Sequence, residues 1–288
     1  EGHKLQTFSK YESALVSNNK TYETYLVASI LRSYRASEYF KALKSDKEKD
    51  TAYYGFAYIS LYFVPYVDWA VKKAIKENVE TIYFITRDGV ILKKIADIII
   101  KNEKLKIKTK LIYGSRKAWR VAGILNEVDD SNFSHFGLFQ SFNSFEDVLK
   151  STRLSEVEFD EFFPMLKSLK NKTRYSNDDY TQLRVAAKNN EDYKKHLIAV
   201  AEKERVIVSE YVKQEIDINE KFVFVEYWGR GYTQDSLTNI CKSAYGKDID
   251  IEFYYARSIY DSQGNSKRAN FTNSCKNLVF VETIINTV

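Results

Sequence analysis

Residues 81–92 read TIYFITRDGVIL, an apolar run that leads into an Arg-Asp-Gly turn. The run Thr81–Thr86 is typical of a strand buried in a sheet, and Val90–Lys101 follows it as a predicted helix. A second strand is predicted at Lys108–Gly114. Together these segments form a β-α-β unit, a connection that joins parallel strands and is right-handed in nearly all proteins. The sequence therefore predicts an α/β fold.

The second half of the chain continues this arrangement. The segment FVFVE at residues 222–226 is a continuous apolar run, which is typical of a strand buried on both faces of a parallel sheet. Further strands are predicted at Ile249–Arg257 and Leu278–Val281, whereas residues 132–215 are polar, helical and poor in strand patterns. We therefore predict a Rossmann-like or HAD-like (haloacid dehalogenase-like) fold, with a mostly parallel sheet, helices on both of its faces, and a helical insertion.

Four regions are expected along the chain. Residues 1–78 form an N-terminal helical region that packs on the core, and residues 79–131 form the first half of the α/β core. Residues 132–218 form the helical insertion or cap, and residues 219–288 form the second half of the core. The chain has only two prolines and no linker rich in Ser or Gly, which argues against flexibly tethered domains.

Two segments of the N-terminal region are distinctive. Lys44–Asp50 is a run of charged residues and predicts a solvated loop. Tyr53–Lys76 is rich in aromatic residues and predicts a long helix that bends near Pro65. The alternative for this aromatic segment is a substrate platform or a contact surface for a partner protein.

Composition restricts the classes of function. The chain has 288 residues and a formal charge of +5, which suits an anionic small substrate or an acceptor near a membrane and does not require nucleic acid. Two cysteines are too few for a disulfide framework, and the three histidines are isolated, so no zinc site is predicted. No apolar run reaches about 18 residues. We expect a cytoplasmic protein, with a peripheral position at the inner membrane face also open, and the abrupt apolar end predicts a module of a longer protein.

The Arg-Asp-Gly turn suggests a phosphate site. A strand that delivers an acid to a glycine turn at a helix N-terminus places a metal-binding or proton-handling carboxylate beside an anion site. HAD phosphatases use Asp-x-Asp-Gly here, with the first Asp as nucleophile, but this chain has Thr86 at that position and keeps only Asp88. A threonine hydroxyl without a nearby base is a poor nucleophile. A HAD-like phosphohydrolase with an unusual nucleophile nevertheless stays open.

A second glycine turn lies at residues 226–234, EYWGRGYTQ. Its glycines allow a sharp turn with exposed N–H groups, Arg230 adds a fixed positive charge, and Thr233 adds a hydroxyl. Glu226 at the end of the strand could accept hydrogen bonds from ribose hydroxyls or bind Mg²⁺. An ordinary strand-to-helix turn is the alternative.

A third element follows the second strand, where Ser115 and Arg116 suit a phosphate oxygen; the alternative is a helix N-cap with a solvated basic neighbour. The carboxyl ends of parallel strands meet at one sheet edge, so the three elements should converge. Displacement of a diphosphate from an anomeric carbon requires cations and Mg²⁺ that bind the diphosphate, groups that bind the sugar, and a base for the acceptor hydroxyl. Five side chains can supply these needs: Arg87, Asp88, Arg116, Glu226 and Arg230.

These motifs resemble a known family. The helix ending in WAVKKA at residues 69–74, the strand YFITRDG at 83–89, SRKA at 115–118 and the turn at 226–234 are similar to the C-terminal module of bacterial proteins labelled HAD-superfamily hydrolases of capsule and O-antigen loci. In that family the module usually follows a separate phosphatase domain, which is not among these 288 residues. Glu226 stands where the family more often has Asp.

The resemblance implies a function. Understood members of the family are two-part ribofuranosyltransferases, in which such a module transfers phosphoribosyl from phosphoribosyl diphosphate (PRPP) to an oligosaccharide or polysaccharide, and the phosphatase then removes the 5-phosphate. By resemblance, this chain is the glycan phosphoribosyltransferase part, with Mg²⁺ held by Asp88, and a non-catalytic partner domain of a polysaccharide polymerase is an alternative. The site residues carried over are Arg87, Asp88, Ser115, Arg116, Glu226, Gly229, Gly231, Thr233 and Gln234.

Overall fold

The structure is a computed structural model that describes residues 7–18, 22–135, 137–139, 142–249, 251–258 and 267–274. These residues form a five-stranded parallel sheet surrounded by helices, which confirms the predicted α/β class. The strands are β1 (Thr81–Ile85), β2 (Lys108–Ile112), β3 (Phe222–Gly229), β4 (Phe253–Ser258) and β5 (Arg268–Asn270). The predicted strand at Leu278–Val281 lies outside the described residues.

The strand order is β2-β1-β3-β4-β5. β1 pairs with β2 on one side and with β3 on the other, and all five β1 residues are buried. Aromatic side chains stack across the sheet, with ring centroids 5.2 Å apart between Tyr83 and Phe224 and 5.1 Å apart between Phe224 and Phe253. Each such pair adds about 1 kcal/mol beyond its area burial. The stack therefore holds the strands in the register on which the site depends.

Thirteen α-helices occur among the described residues. They are α1 (Lys10–Asn18), α2 (Tyr22–Ala36), α3 (Glu38–Lys41), α4 (Asp46–Tyr54), α5 (Leu61–Lys76), α6 (Asp88–Glu103), α7 (Arg116–Ala122), α8 (Phe145–Thr152), α9 (Glu156–Phe162), α10 (Asn177–Lys188), α11 (Glu191–Glu215), α12 (Tyr232–Tyr245) and α13 (Phe271–Ser274). A π-helical segment lies at Gly55–Ser60, and 3₁₀ segments lie at Asp130–Phe133 and Pro164–Asn171.

The chain divides into two compact units. The first consists of Glu1–Lys76, Ile91–Lys106 and Asn270–Val288, and the second of Glu77–Val90 and Ile107–Ala269. The helical region predicted as an insertion thus shares a unit with the sheet, whereas most of α6 is assigned with the N-terminal helices. Among the described residues no helix combines the length and apolarity needed to cross a membrane.

In the first unit, the prediction of a solvated loop at Lys44–Asp50 was wrong. Ser45 accepts a hydrogen bond from Glu48 N, and the Glu48 side chain accepts one from Ser45 N, so α4 begins with a capping box. This Ser-x-x-Glu pattern satisfies helix N–H groups that otherwise have no partner. The predicted helix Tyr53–Lys76 is also interrupted, by the π-helical segment that ends five residues before Pro65.

Two buried clusters lie among the described residues of the second unit. The sheet cluster includes Tyr83, Phe224 and Trp119, and the helical cluster joins apolar residues between Val121 and Ala201. Helix α11 contributes Leu197 and Ala201 to the helical cluster and Val212 to the sheet cluster. One long helix therefore supports both the sheet and the helical region predicted as an insertion.

Candidate functional site

The strand order places a crevice beside β1 and β3. From β1 the chain turns toward β2, and from β3 it turns the other way toward β4, so the connections leave the sheet in opposite directions. Open α/β sheets bind ligands at such a switch point, outside the carboxyl ends of the strands. The Arg-Asp-Gly turn follows β1, and the second glycine turn lies at the end of β3. Both therefore lie at the edge where a ligand is expected.

A cavity of about 510 Å³ lies at this edge. It is lined by residues from the ends of three strands, β1, β2 and β3, and eight of the ten predicted site residues are among them. These eight are Arg87, Asp88, Ser115, Arg116, Glu226, Gly229, Arg230 and Thr233. The structure thus brings most of the predicted residues to one place within the second unit.

The turn after β1 is tight and strained. Arg87 has a φ of 84°, in the left-handed region that a side chain rarely adopts, and Asp88 begins α6 immediately afterwards. A Cβ on residue 89 would lie 2.9 Å from the carbonyl carbon of Phe84, so this position, directly after Asp88, requires glycine. Such strain costs about 1–3 kcal/mol and is concentrated at functional sites. The Asp88 carboxylate is about one-third exposed and lies 3.3 Å from Arg87 Nε.

Thr86 joins the ends of two strands. Its hydroxyl accepts a hydrogen bond from Gly114 N at 3.2 Å and lies 3.4 Å from Gly114 O, while Thr86 N donates to Ile112 O. The side chain is therefore occupied in holding β1 beside the end of β2. This position favours a structural role over that of a nucleophile.

Ser115 and Arg116 form the start of α7. The Ser115 hydroxyl accepts a hydrogen bond from Ala118 N at 3.2 Å, as an N-cap residue does. Ser115 and Arg116 are both exposed and both line the cavity. Ser115 is therefore both the N-cap residue of α7 and a lining residue of the cavity.

The turn after β3 is built on its two glycines. A Cβ on Gly229 would lie 1.9 Å from the Tyr255 ring, so only glycine permits this close approach. Gly231 has a φ of 89° and is the N-cap residue of α12. The N-terminus of this 14-residue helix offers partial positive charge to an anion.

Glu226 is the most perturbed acid of the site. Its Oε2 is buried, and burial raises the pKa of Glu226 to about 8. The charge of Asp88 raises this pKa further, while Arg120, Arg87 and Arg116 oppose the shift. A carboxyl group with a pKa near neutrality is suited to accept or donate a proton during a reaction.

Gln234 and Gly231 are absent from the cavity lining. Gln234 is fully buried, and its amide nitrogen donates to Ile251 O and Lys267 O, each at 2.8 Å. Its Oε1 accepts a hydrogen bond from Arg268 Nε at 2.7 Å. The structure thus gives Gln234 the task of joining α12 to the segments that begin β4 and β5.

Several lining residues were not among the predicted site residues, including Lys117, Arg120, Tyr227, Trp228 and Tyr232. Arg120 donates to Gly137 O and its guanidinium lies 4.9 Å from the centroid of the Tyr232 ring. Burial, with the charge of Arg116 second, lowers the pKa of Arg120 to about 10. The signal was available, because residues four apart on a helix lie on the same face and Arg120 follows Arg116 at that spacing.

The side chains present fit a magnesium ion shared with a substrate. The described residues contain no group of three or more His, Cys, Asp or Glu side chains arranged for a metal. Mg²⁺ in phosphate-transferring sites needs only one or two carboxylates, because phosphates and water supply its other ligands. Asp88, partly exposed beside the cavity, is such a carboxylate.

The chain matches no protein-family model and no curated protein. The resemblance to the capsule and O-antigen family therefore stays a prediction.

Proposed function

We propose that this protein is a glycosyltransferase that transfers phosphoribosyl from PRPP to a glycan acceptor of capsule or O-antigen biosynthesis. The observation that supports this most directly is the charge of the cavity at the switch point. Two carboxylates and five cationic side chains line it, the latter being Arg87, Arg116, Lys117, Arg120 and Arg230.

The excess of positive charge suits a donor with several phosphates. A phosphate monoester carries a charge of about −2 near neutral pH, and the diphosphate of PRPP adds more. Guanidinium groups bind phosphate oxygens through paired N–H donors. The N-terminus of α12 and the Thr233 hydroxyl lie at the same cavity and add uncharged donors.

The proposed reaction is a displacement at the anomeric carbon. The bond between C1 of the ribose and the diphosphate oxygen breaks, and a bond forms between C1 and an acceptor hydroxyl oxygen. The proton of that hydroxyl passes to the Glu226 carboxylate, and diphosphate leaves with the bonding electron pair. Glu226 is the best base of the site, because its raised pKa makes it more basic than an ordinary carboxylate.

Mg²⁺ would be held by Asp88 together with the diphosphate and would stabilise negative charge on the leaving group. Arg87 and Arg116 would bind the oxygens that remain. A partner domain or protein would then remove the 5-phosphate. A cytoplasmic position is part of the proposal, at the inner membrane face if the acceptor is lipid-linked.

The other candidate functions have less support. A phosphohydrolase would need a nucleophile, and the Thr86 hydroxyl is already engaged by Gly114. A partner-binding role for the aromatic segment would need free rings, yet Tyr62, Tyr66 and Trp69 lie 6.4, 5.9 and 5.7 Å from the Phe271 ring in the first unit. Neither alternative accounts for the raised pKa of Glu226 beside five cations.

The test combines binding and turnover. Calorimetric titration with PRPP and Mg²⁺ should show binding, and capsule-type oligosaccharides should trigger diphosphate release. Asp88→Asn should abolish release, whereas Asp192→Asn, at an exposed position on α11, should leave it unchanged. Unchanged diphosphate release in Asp88→Asn would contradict the proposal. Turnover of an aryl phosphate that disappears in Thr86→Ala would favour the phosphohydrolase instead.

A further inference from the structure

A second cavity adjoins the candidate site. Its volume is about 880 Å³, and two residues, Arg120 and Tyr232, line both cavities. The rest of its lining comes from residues 123–132, from α12, including Asn239 and Lys242, and from Asp248. We call this second cavity the acidic groove. The Arg120–Tyr232 pair therefore borders both the acidic groove and the first cavity.

The acidic groove has the opposite charge to the first cavity. Four carboxylates and two cations line it, and the carboxylates are those of Glu127, Asp129, Asp235 and Asp248. Asp248 is paired with Lys242 at 2.7 Å, and Asp235 with Arg268 at 2.9 Å. Glu127 and Asp129 make no ion pair within the described part of the chain, so a negative charge remains. A phosphorylated donor would be repelled here and attracted to the first cavity.

The uncharged groups of the acidic groove suit a ligand rich in hydroxyls. Amides and hydroxyls contribute to the lining, among them Asn126 and Asn239, while Ser131 Oγ and Asn132 Nδ2 already donate hydrogen bonds to Asp129. Amide side chains donate and accept hydrogen bonds, which matches sugar hydroxyls. Asn239 is oriented by a 2.9 Å hydrogen bond from its amide nitrogen to Gly123 O. Carboxylates add strong acceptors for hydroxyl groups.

We propose that the acidic groove binds the acceptor glycan and that it selects neutral sugars over sugars that bear a carboxylate or phosphate. The inference rests on the proposed function, since it identifies the second substrate of that reaction. A neutral sugar in the groove can direct one hydroxyl past Arg120 and Tyr232 toward Glu226 in the first cavity. An anionic sugar would face Glu127 and Asp129 with like charge.

The experiment measures donor and acceptor separately. A panel of neutral and uronic-acid-containing oligosaccharides is immobilised, and retention of the protein is measured with and without PRPP and Mg²⁺. Glu127→Arg places a larger side chain of opposite charge in the groove, at an exposed position. Glu202→Arg makes the same change at an exposed position of α11 and is the control. PRPP affinity is measured for each variant by calorimetry.

We expect wild type to retain neutral glycans better than acidic ones, and Glu127→Arg to lose neutral retention by about tenfold, the loss typical of a hydrogen bond to a charged group. PRPP affinity should stay unchanged in Glu127→Arg, and Glu202→Arg should behave as wild type. Equal retention by Glu127→Arg, retention of acidic glycans only, or no retention of any glycan would each overturn the acidic groove as the acceptor site. Loss in Trp228→Ala alone would move the acceptor to the mouth of the first cavity.

Failure of the two proposals can be told apart. If wild type binds no PRPP but retains neutral glycans in a Glu127-dependent way, the donor assignment fails and the sugar-binding groove stands. If PRPP binds with Mg²⁺ but glycan retention is the same in wild type and Glu127→Arg, the groove assignment fails and the donor assignment stands.

Discussion

Glu226 shows how a single residue can be costly for folding and useful for chemistry. Its Oε2 is buried at the end of β3, and burial together with the charge of Asp88 raises its pKa from 4.5 to about 8. Between these two pH values the unfolded chain releases a proton that the folded chain retains. The free energy of unfolding therefore falls as the pH rises from about 4.5 toward 8.

Replacement by glutamine should reverse this cost. Each pKa unit corresponds to about 1.4 kcal/mol, so Glu226→Gln should raise the free energy of unfolding by a few kcal/mol at pH 8 and change it little near pH 4. The measurement is urea unfolding at both pH values. Glu202→Gln, at an exposed position, is the matched control. A stability gain that does not depend on pH would contradict the assigned pKa.

The same substitution should abolish transfer, because an amide cannot accept the acceptor proton. In wild type, the rate of diphosphate release should rise with pH up to about 8 and then level off, since only the ionised carboxylate acts as base. A stopped assay across this pH range measures the profile. A rate that is flat from pH 6 to 9 would exclude Glu226 as the base.

Asp88 should influence Glu226 directly. Its negative charge is the second cause of the raised pKa of Glu226, so Asp88→Asn should lower that pKa. Carbon-13 NMR of protein labelled at glutamate carboxyl groups can follow the titration without any substrate. Asp192→Asn should leave the titration unchanged, and an unchanged Glu226 pKa in Asp88→Asn would show that burial alone sets it.

At the scale of elements, the two glycines at the ends of α12 allow an effect on stability to be distinguished from an effect on ligand binding. Gly231 and Gly246 flank this helix with φ values of 89° and 66°, so alanine at either position forces a side chain into the left-handed region. The cost is about 1–2 kcal/mol at each position. Only Gly231 lies within the turn whose neighbours Arg230 and Thr233 line the first cavity.

We therefore expect Gly231→Ala and Gly246→Ala to lose similar stability, while only Gly231→Ala weakens PRPP binding, by about tenfold or more. Thermal unfolding and calorimetry give the two quantities on the same samples. Equal loss of PRPP affinity in both variants would mean that the effect is general destabilisation of α12 and not distortion of the anion site.

The elements differ in how far the sequence determined them. The apolar runs that became β1 and β3 are short and are followed by glycine turns, which favours buried strands over helices. They predicted the α/β class and the edge where the candidate site lies. The start of α4 was missed although its capping box is local, because the charges of Lys44–Asp50 were taken as solvation. Gln234 could not be placed, because its partners Ile251, Lys267 and Arg268 are distant in sequence.

At the scale of the whole second unit, α11 connects the helical cluster to the sheet cluster. This 25-residue helix is about 37 Å long at 1.5 Å per residue, so it reaches from Leu197 in one cluster to Val212 in the other. Between them Arg205 donates hydrogen bonds to Ala122 O and Ile124 O at the end of α7. Loss of packing in the helical cluster should therefore also destabilise the sheet cluster.

Leu197→Ala tests this coupling. Leu197 is fully buried, and its truncation should cost about 2–5 kcal/mol. If α11 links the two clusters, the loss should lower the urea midpoint reported by Trp119, which is buried in the sheet cluster. Trp69→Phe and Trp228→Phe in the background leave Trp119 as the sole tryptophan, since the chain has three.

The circular dichroism of the helices and the Trp119 fluorescence should shift together in Leu197→Ala, because one cooperative transition includes both clusters. Leu197→Met keeps nearly the same volume and should shift both signals much less. A fluorescence midpoint that stays at its wild-type value while the helical signal falls earlier would show that the helical cluster unfolds on its own. The sheet, with the cavity at its edge, would then be stable without the helical region that follows α7.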